Sequence, residues 1–253
     1  VWGNIGASEL QAPLLDDNDS SPEENSQDFF FGEDSIAQKQ RLKESSIFKN
    51  LQSWRLAHMI VKSGADLKEE QFAVQLIQQF DQIFKLEKLD LYLTPYEIVS
   101  LGKSLYLMGL LIVWYFVLDT DFGLVEMVKD SITLSSLKQK IYEKQMGSLR
   151  QFFDTYYGRR RADKAKDNFC RSLAAYSLMC YFLQIKDRHN GNILLQKSGK
   201  IAHIDFGFFF TNAPGKGLAF ENPVPFKLLT EYIEVLGGVR SALFQKFRRL
   251  FYQ

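Results

Sequence analysis

Lys186-Asp187-Arg188-His189-Asn190-Gly191-Asn192, followed by His203-Ile204-Asp205-Phe206-Gly207, is the stretch that decides the reading of this 253-residue chain. Between the two motifs, residues 193–196 and 201–204 are short apolar runs separated by Lys197-Ser198-Gly199-Lys200, the pattern of a β-hairpin. A hairpin there folds Asp205 back beside Asn192. Asp187 and Asn192 have a D-x-x-x-x-N spacing that suits a catalytic polar group and a metal ligand in phosphoryl transfer from ATP. Asn192 and Asp205 offer the hard oxygen atoms that Mg2+ takes, and the hairpin brings both to one ion. Either motif alone occurs by chance, as a surface turn pair or a cap. Both together, in this order and joined by a hairpin, are specific.

Working outward, ATP chemistry also needs a cation on the phosphates. Residues 53–62 (SWRLAHMIVK) read as a strand that ends in Lys62. Asp66 then opens a helix, with Glu69 at capping-box spacing. Phe72, Leu76, Ile77, Phe80, Ile83 and Phe84 follow at helical intervals. A strand lysine paired with an acid of the next helix is the phosphate-positioning arrangement. Of the adjacent Glu69 and Glu70 one is expected to face solvent, and Glu70 is assigned to Lys62.

Residues 96–100 and 122–128 read as strands. Helical patterns run over 134–142, 149–157 and 165–183, and two amphipathic helices cover about 226–236 and 241–252. Trp54 reads as core packing. No internal repeat is visible. A strand-rich first half before a helix-rich second half predicts an α+β chain of two lobes with a cleft between them.

The formal net charge of +1 argues against a nucleic-acid partner held by bulk electrostatics. Cys170 and Cys180 lie in a helical-looking apolar stretch, which fits a reducing compartment rather than a disulfide framework. Residues 1–28 are acidic and polar, without a signal-peptide pattern, and read as a disordered leader. Leu105 to Leu118 (LYLMGLLIVWYFVL) is apolar throughout but shorter than the ~18–20 residues of a spanning helix, so it reads as buried. Arg159-Arg160-Arg161, Lys164 and Lys166 form a basic run, either a solvated loop before a helix or a contact with anionic lipid.

The chain resembles the phosphoinositide 3-/4-kinases, and among them the type III beta-like phosphatidylinositol 4-kinases, from about Phe31 to its end. The resemblance is carried by SWRLAHMIVKSGADLKEE, GLVEMVKDSITLSSLK, DNFCRSLAAYSLMCYFLQIKDRHNGNILL, HIDFGF and FENPVPFKLLTEYIEVLGG. It implies a two-lobed protein-kinase-like fold: an N-lobe over 29–128 with an apolar insert at about 103–120, and a C-lobe over 129–253. Further helices follow Gly238 in the family, so the C-lobe is expected to be incomplete, with Phe244, Phe247, Leu250 and Phe251 short of partners.

By the same resemblance Lys62 contacts phosphate, Glu70 is its helix acid, and the backbone of Glu126 and Val128 binds adenine at a hinge. Asp187 and His189 resemble the pair that activates the inositol hydroxyl, either being the base; Arg188 supports the loop. Asn192 and Asp205 hold magnesium, and His203 is structural. The segment from Phe208 to about Phe226 chooses the substrate. With Lys216 isolated there and Lys227 beyond, it lacks the basic cluster a phosphorylated headgroup wants. Unphosphorylated phosphatidylinositol is therefore expected, modified at position 4 and met peripherally, from the cytoplasm, on an internal, Golgi-like membrane. Regulatory partners are not indicated.

Three departures stand out. Lys49 occupies the place of a phosphate-loop glycine, Ala65 replaces an acid, and the 103–120 insert, a lineage-specific insertion or a translated intron, lengthens a short loop. Two other expectations stay open: a related Ser/Thr protein kinase, which shares the Asp-Arg-His and Asp-Phe-Gly motifs, and an inactive nucleotide-binding or scaffold module, favoured by Lys49, the insert and the incomplete C-lobe.

Overall fold

The computed structural model describes residues 28–63, 67–102, 122–210 and 226–253. All of the leader but Asp28, the Asp66 cap, Ala65, the apolar insert, Lys216 and most of the substrate-choosing segment lie outside the described residues; Asp28 itself bridges to Gly32.

The first half carries helix α1 (Ser35–Ser45), strand β1 (Met59–Ser63), helix α2 (Leu67–Leu86), β2 (Ile98–Gly102) and β3 (Phe122–Glu126). The three strands form an antiparallel sheet in the order β1-β3-β2, with Lys62 opposite Gly123. A Cβ at Gly123 would stand 2.4 Å from the Val99 carbonyl oxygen and 2.7 Å from a Leu67 methyl. Only glycine lets the start of α2 close onto the sheet there. α2 buries Leu67, Ala73, Val74, Ile77 and Phe84 on one face, as its periodicity requires.

The second half begins with β4 (Ser131–Thr133), α3 (Leu134–Glu143) and the long α4 (Leu149–Leu183). The hairpin β5 (Ile193–Gln196) and β6 (Ile201–His203) follows, then α5 (Thr230–Leu236) and α6 (Ala242–Phe251). β4, β5 and β6 form a second antiparallel sheet in that order. Gly199 turns the hairpin at φ +87°, its α-carbon facing Ala165 of α4 so closely that a Cβ would lie 2.5 Å from the Ala165 carbonyl oxygen. Mixed helices and two small antiparallel sheets agree with the α+β expectation.

Several elements differ from the sequence reading. The strand expected over 53–62 begins only at Met59, because β3 offers partners from Met59↔Glu126 onward and no described strand pairs residues 53–58. Trp54 is half-buried outside the core; its indole donates to Ser46 Oγ at 3.2 Å under the Lys43 ammonium. The two helices expected at 149–157 and 165–183 are joined across a break at Gly158 (φ +66°), and Arg159–Arg161 lie on helix rather than in a loop. Lys166 leaves the basic run, buried and paired with Asp154.

α6 is not without partners. Phe247 and Leu250 are buried, Phe251 meets Phe226 at 5.1 Å, and Lys246 pairs with Asp167 of α4. Asp167 also accepts from Arg171, 2.7 Å away. Burial opposes charge on Asp167, but the hydrogen bonds from Lys246 and Arg171 outweigh it and hold the carboxyl below its usual range. Cys170 is a free, buried thiol pushed up to about 12 by burial, and Cys180 is buried beside His203 Nδ1, 3.8 Å away. Among the described residues no helix is long and apolar enough to cross a membrane.

Candidate active site

The β5–β6 hairpin does what its sequence requires. Ile193 pairs with His203, and the Ile204 amide donates to the Asn192 carbonyl at 3.0 Å. The two motifs are thereby joined at the hairpin's open end. Arg188 locks them further. Its guanidinium donates to the carbonyls of Lys186 (2.9 Å), Ile204 (2.8 Å) and Asp205 (2.5 Å), and it sits 5.3 Å from the centre of the Phe206 ring. Arg188 is 3% exposed, so its charge is neutralised by carbonyl dipoles rather than water.

Asp187 and Asp205 both adopt φ +60°, a left-handed conformation that costs a non-glycine residue about 1 kcal/mol or more. The Arg188 bonds and the hairpin hold them there. Strain at the two acids of one site marks a place shaped for chemistry rather than for stability.

Lys62 of β1 reaches across to this cluster. Its ammonium lies 3.0 Å from Glu70 Oε2 and 3.2 Å from Asp205 Oδ1. Burial alone would lower the Lys62 pKa, yet the bonds and charges of Glu70 and Asp205 carry it above the ordinary lysine value. Glu70 is the buried acid of the pair and Glu69 the exposed one. The other Glu70 oxygen accepts from the Tyr96 hydroxyl at 3.3 Å. Tyr96 is buried against Phe206, ring centres 6.3 Å apart, and burial together with the Glu70 charge pushes its phenol far up.

The Asn192 carboxamide nitrogen donates to the Asp187 carbonyl (3.0 Å) and to Asp187 Oδ2 (3.3 Å), which leaves its oxygen as the group available to a cation. That oxygen and the half-exposed Asp205 carboxylate are hard donors suited to a small divalent ion, which keeps other positions for water and phosphate. Among the described residues no cluster of three His, Cys, Asp or Glu side chains offers a fuller protein cage.

His189 Nδ1 accepts from the Gly191 amide at 3.0 Å, so the neutral ring carries its proton on Nε2, 3.9 Å from Asp187 Oδ2. A Cβ on Gly191 would stand 2.8 Å from the His189 ring and would push this exposed side chain aside. His203 is fully buried, stacked on Tyr176 at 4.4 Å, and burial pushes its pKa well below the ordinary histidine value.

Beyond β3, the Met127 amide donates to the His58 carbonyl at 2.9 Å, and the Glu126 carboxylate accepts from the Glu97 amide at 3.1 Å. Glu126 and Val128 line a cavity of about 360 Å³ together with Thr94, Tyr96, Asp130 and Lys197. Neither Lys62, Asp187 nor Asp205 lines it. Lys49 is exposed in a turn.

Tyr96 escaped the sequence reading because an aromatic opening an expected strand, 96–100, reads as core; the observed strand begins only at Ile98. Glu231 of α5 was also missed. It pairs with Lys138 and accepts from Asn190 Nδ2 at 3.2 Å, although it lies inside one of the quoted stretches.

A strand lysine on a buried helix acid, facing an Asp-Phe-Gly and an Asp-Arg-His loop joined by a hairpin, defines a kinase-like phosphotransferase fold. The chain belongs to the phosphatidylinositol 3- and 4-kinase family, whose pattern matches residues 57–253. It is 42% identical over 223 residues to a phosphatidylinositol 4-kinase of Dictyostelium discoideum, an overlap covering 87% of this chain and 17% of that protein. It is 37% identical over 235 residues to phosphatidylinositol 4-kinase PIK1 of Saccharomyces cerevisiae, covering 87% and 20%. With phosphatidylinositol 4-kinase beta of Rattus norvegicus it shares 36% over 215 residues, covering 84% and 24%. The chain thus spans about a fifth of the length of these curated relatives.

Proposed function

We propose that this chain is the catalytic domain of a phosphatidylinositol 4-kinase, moving the γ-phosphate of ATP to the 4-hydroxyl of phosphatidylinositol. The observation that carries the reading is the Lys62 ammonium held between Glu70 and Asp205 opposite the Asp187–Asn192 loop. Residues 29–128 and 129–253 are the two lobes of this reading.

Lys62, oriented by Glu70, holds the transferring phosphates. The Asn192 oxygen and the Asp205 carboxylate would hold magnesium, which would supply neutralisation of phosphate charge. Asp187 is the better base of the two candidates. The His189 tautomer fixed by Gly191 presents an N–H rather than a lone pair at Nε2, so the ring orients and donates while Asp187 accepts the hydroxyl proton. Arg188 acts on shape alone. Glu126 and Val128 offer backbone groups to adenine.

The lipid is met at the surface of an internal, Golgi-like membrane from its cytoplasmic side. Exposed Arg159, Arg161 and Lys164 contribute about 1 kcal/mol each toward anionic lipid.

The test offers the full-length protein magnesium, labelled ATP and either phosphatidylinositol vesicles or a panel of Ser/Thr peptides. Label in phosphatidylinositol 4-phosphate, lost in K62M and D205N, is the expected result. Peptide labelling without lipid labelling would make the protein kinase the better reading. No turnover, and no thermal shift with Mg-ATP, would favour an inactive module.

A further inference from the structure

We infer that Glu231, through Asn190, is a positioning residue for the Asp187–Asn192 loop, and so couples α5 to the reacting groups. The inference rests on the proposed kinase reading and adds to it an element downstream of the substrate-choosing segment.

Four observations converge. Asn190 sits between His189 and Gly191, the two residues whose contact sets the histidine tautomer. Its backbone carbonyl accepts from the Ser135 amide at 3.0 Å, which fixes the loop to the start of α3. Its side-chain nitrogen donates to Glu231 Oε1 at 3.2 Å. Glu231 is itself held by Lys138 of α3, and its side chain is only 17% exposed. One side chain therefore spans two helices and the loop between them.

The fourth observation is a cost. Asn190 Oδ1 is buried and has no hydrogen-bond partner among the described residues. A buried acceptor left unsatisfied lowers stability. Asparagine at this place is thus poorly chosen for folding, while its nitrogen is well chosen for gripping Glu231. That asymmetry separates a positioning role from a structural one. A structural asparagine, once removed, lowers stability and activity together. A positioning asparagine with an orphaned acceptor loses activity without losing stability.

α5 begins a few residues after the segment expected to receive the lipid headgroup.

The test uses N190A, E231A and E231Q in the full-length protein with phosphatidylinositol vesicles and Mg-ATP. Misplacement by about 1 Å is enough for roughly a 100-fold loss of rate, so N190A and E231A should lower kcat by roughly 10- to 100-fold. KM for ATP should stay within about twofold of wild type, because the ATP-side residues Lys62 and Glu70 are untouched. N190A should melt no lower than wild type. E231Q, which keeps an oxygen for Asn190, should recover most of the loss seen in E231A.

Nitrogen chemical shifts of His189 give a readout that needs no turnover: the Nδ1 acceptor signature should fade in N190A and E231A and persist in E231Q. Failure of the wild type to phosphorylate lipid would remove the kinase reading, and the histidine shifts would still decide the coupling. An unchanged kcat in N190A with unchanged His189 shifts would overturn the inference. So would a fall in kcat matched by a fall in melting temperature and shared equally by E231Q.

Discussion

Replacing Glu70 separates two contributions that meet on one buried carboxylate. In E70Q the side chain keeps its shape, and an oxygen remains for the Tyr96 hydroxyl, but the charge under Lys62 is gone. Hydrogen bonds to charged groups contribute about 1.5–3 kcal/mol, neutral ones about 0.5–1.5. Lys62 is 35% exposed, so solvent screening puts the net loss near the low end, about 1 kcal/mol. At roughly 2–4 °C per kcal/mol for a domain of this size, E70Q should melt about 2–4 °C below wild type.

E70A does more. It strips the Tyr96 hydroxyl of its acceptor at a residue only 4% exposed. A buried donor left unmade costs about 1–3 kcal/mol, so E70A should melt a further ~2–12 °C lower. The double variant E70A/Y96F removes the orphaned hydroxyl and should regain that second part, which makes a thermodynamic cycle. Differential scanning fluorimetry of wild type, E70Q, E70A, Y96F and E70A/Y96F is the assay. If E70A and E70Q melt together, or if Y96F regains nothing in the E70A background, the two-sided account of Glu70 is wrong.

Arg188→Lys should be costly despite keeping the charge. A single ammonium cannot span three carbonyls, and the buried oxygens it abandons should lower stability by about 2–4 kcal/mol, read from the urea midpoint. Asp167 has a depressed folded-state pKa. Its stabilisation is therefore complete above the unfolded value of about 3.9 and is lost as pH falls through the lower folded value. D167N should be less stable than wild type at pH 7, with the gap closing in urea melts taken at progressively lower pH; a constant gap would refute the linkage. Gly199→Ala should destabilise by well over ~1 kcal/mol, because φ +87° and the Ala165 carbonyl both oppose a Cβ, and chemical denaturation would show it.

The site was legible where its parts are contiguous or separated by one strand–helix step. Asp187 to Asn192 and His203 to Gly207 flank a single hairpin, and Lys62 and Glu70 flank a single junction. α1 was not legible, because it buries no residue and so has no apolar period; only the Asp34 cap, accepting from the Ile36 amide at 3.0 Å, announces it. The early start given to β1 came from apolar residues at 56–61 that have no described partner strand before Met59. Tyr96 and Glu231 depend on contacts made across long sequence separations, which no local pattern encodes. The exposed look of α6 in the sequence disappears once α4 lies against Phe247 and Leu250.

Arg188 spans the two motifs like a rivet, and Phe206 beneath it is 1% exposed between that cation and Tyr96. Turning the phenylalanine outward would break its ring contacts with Arg188 and Tyr96 at once, with the cation left buried. Compounds that act by prising out this residue should therefore bind this site poorly.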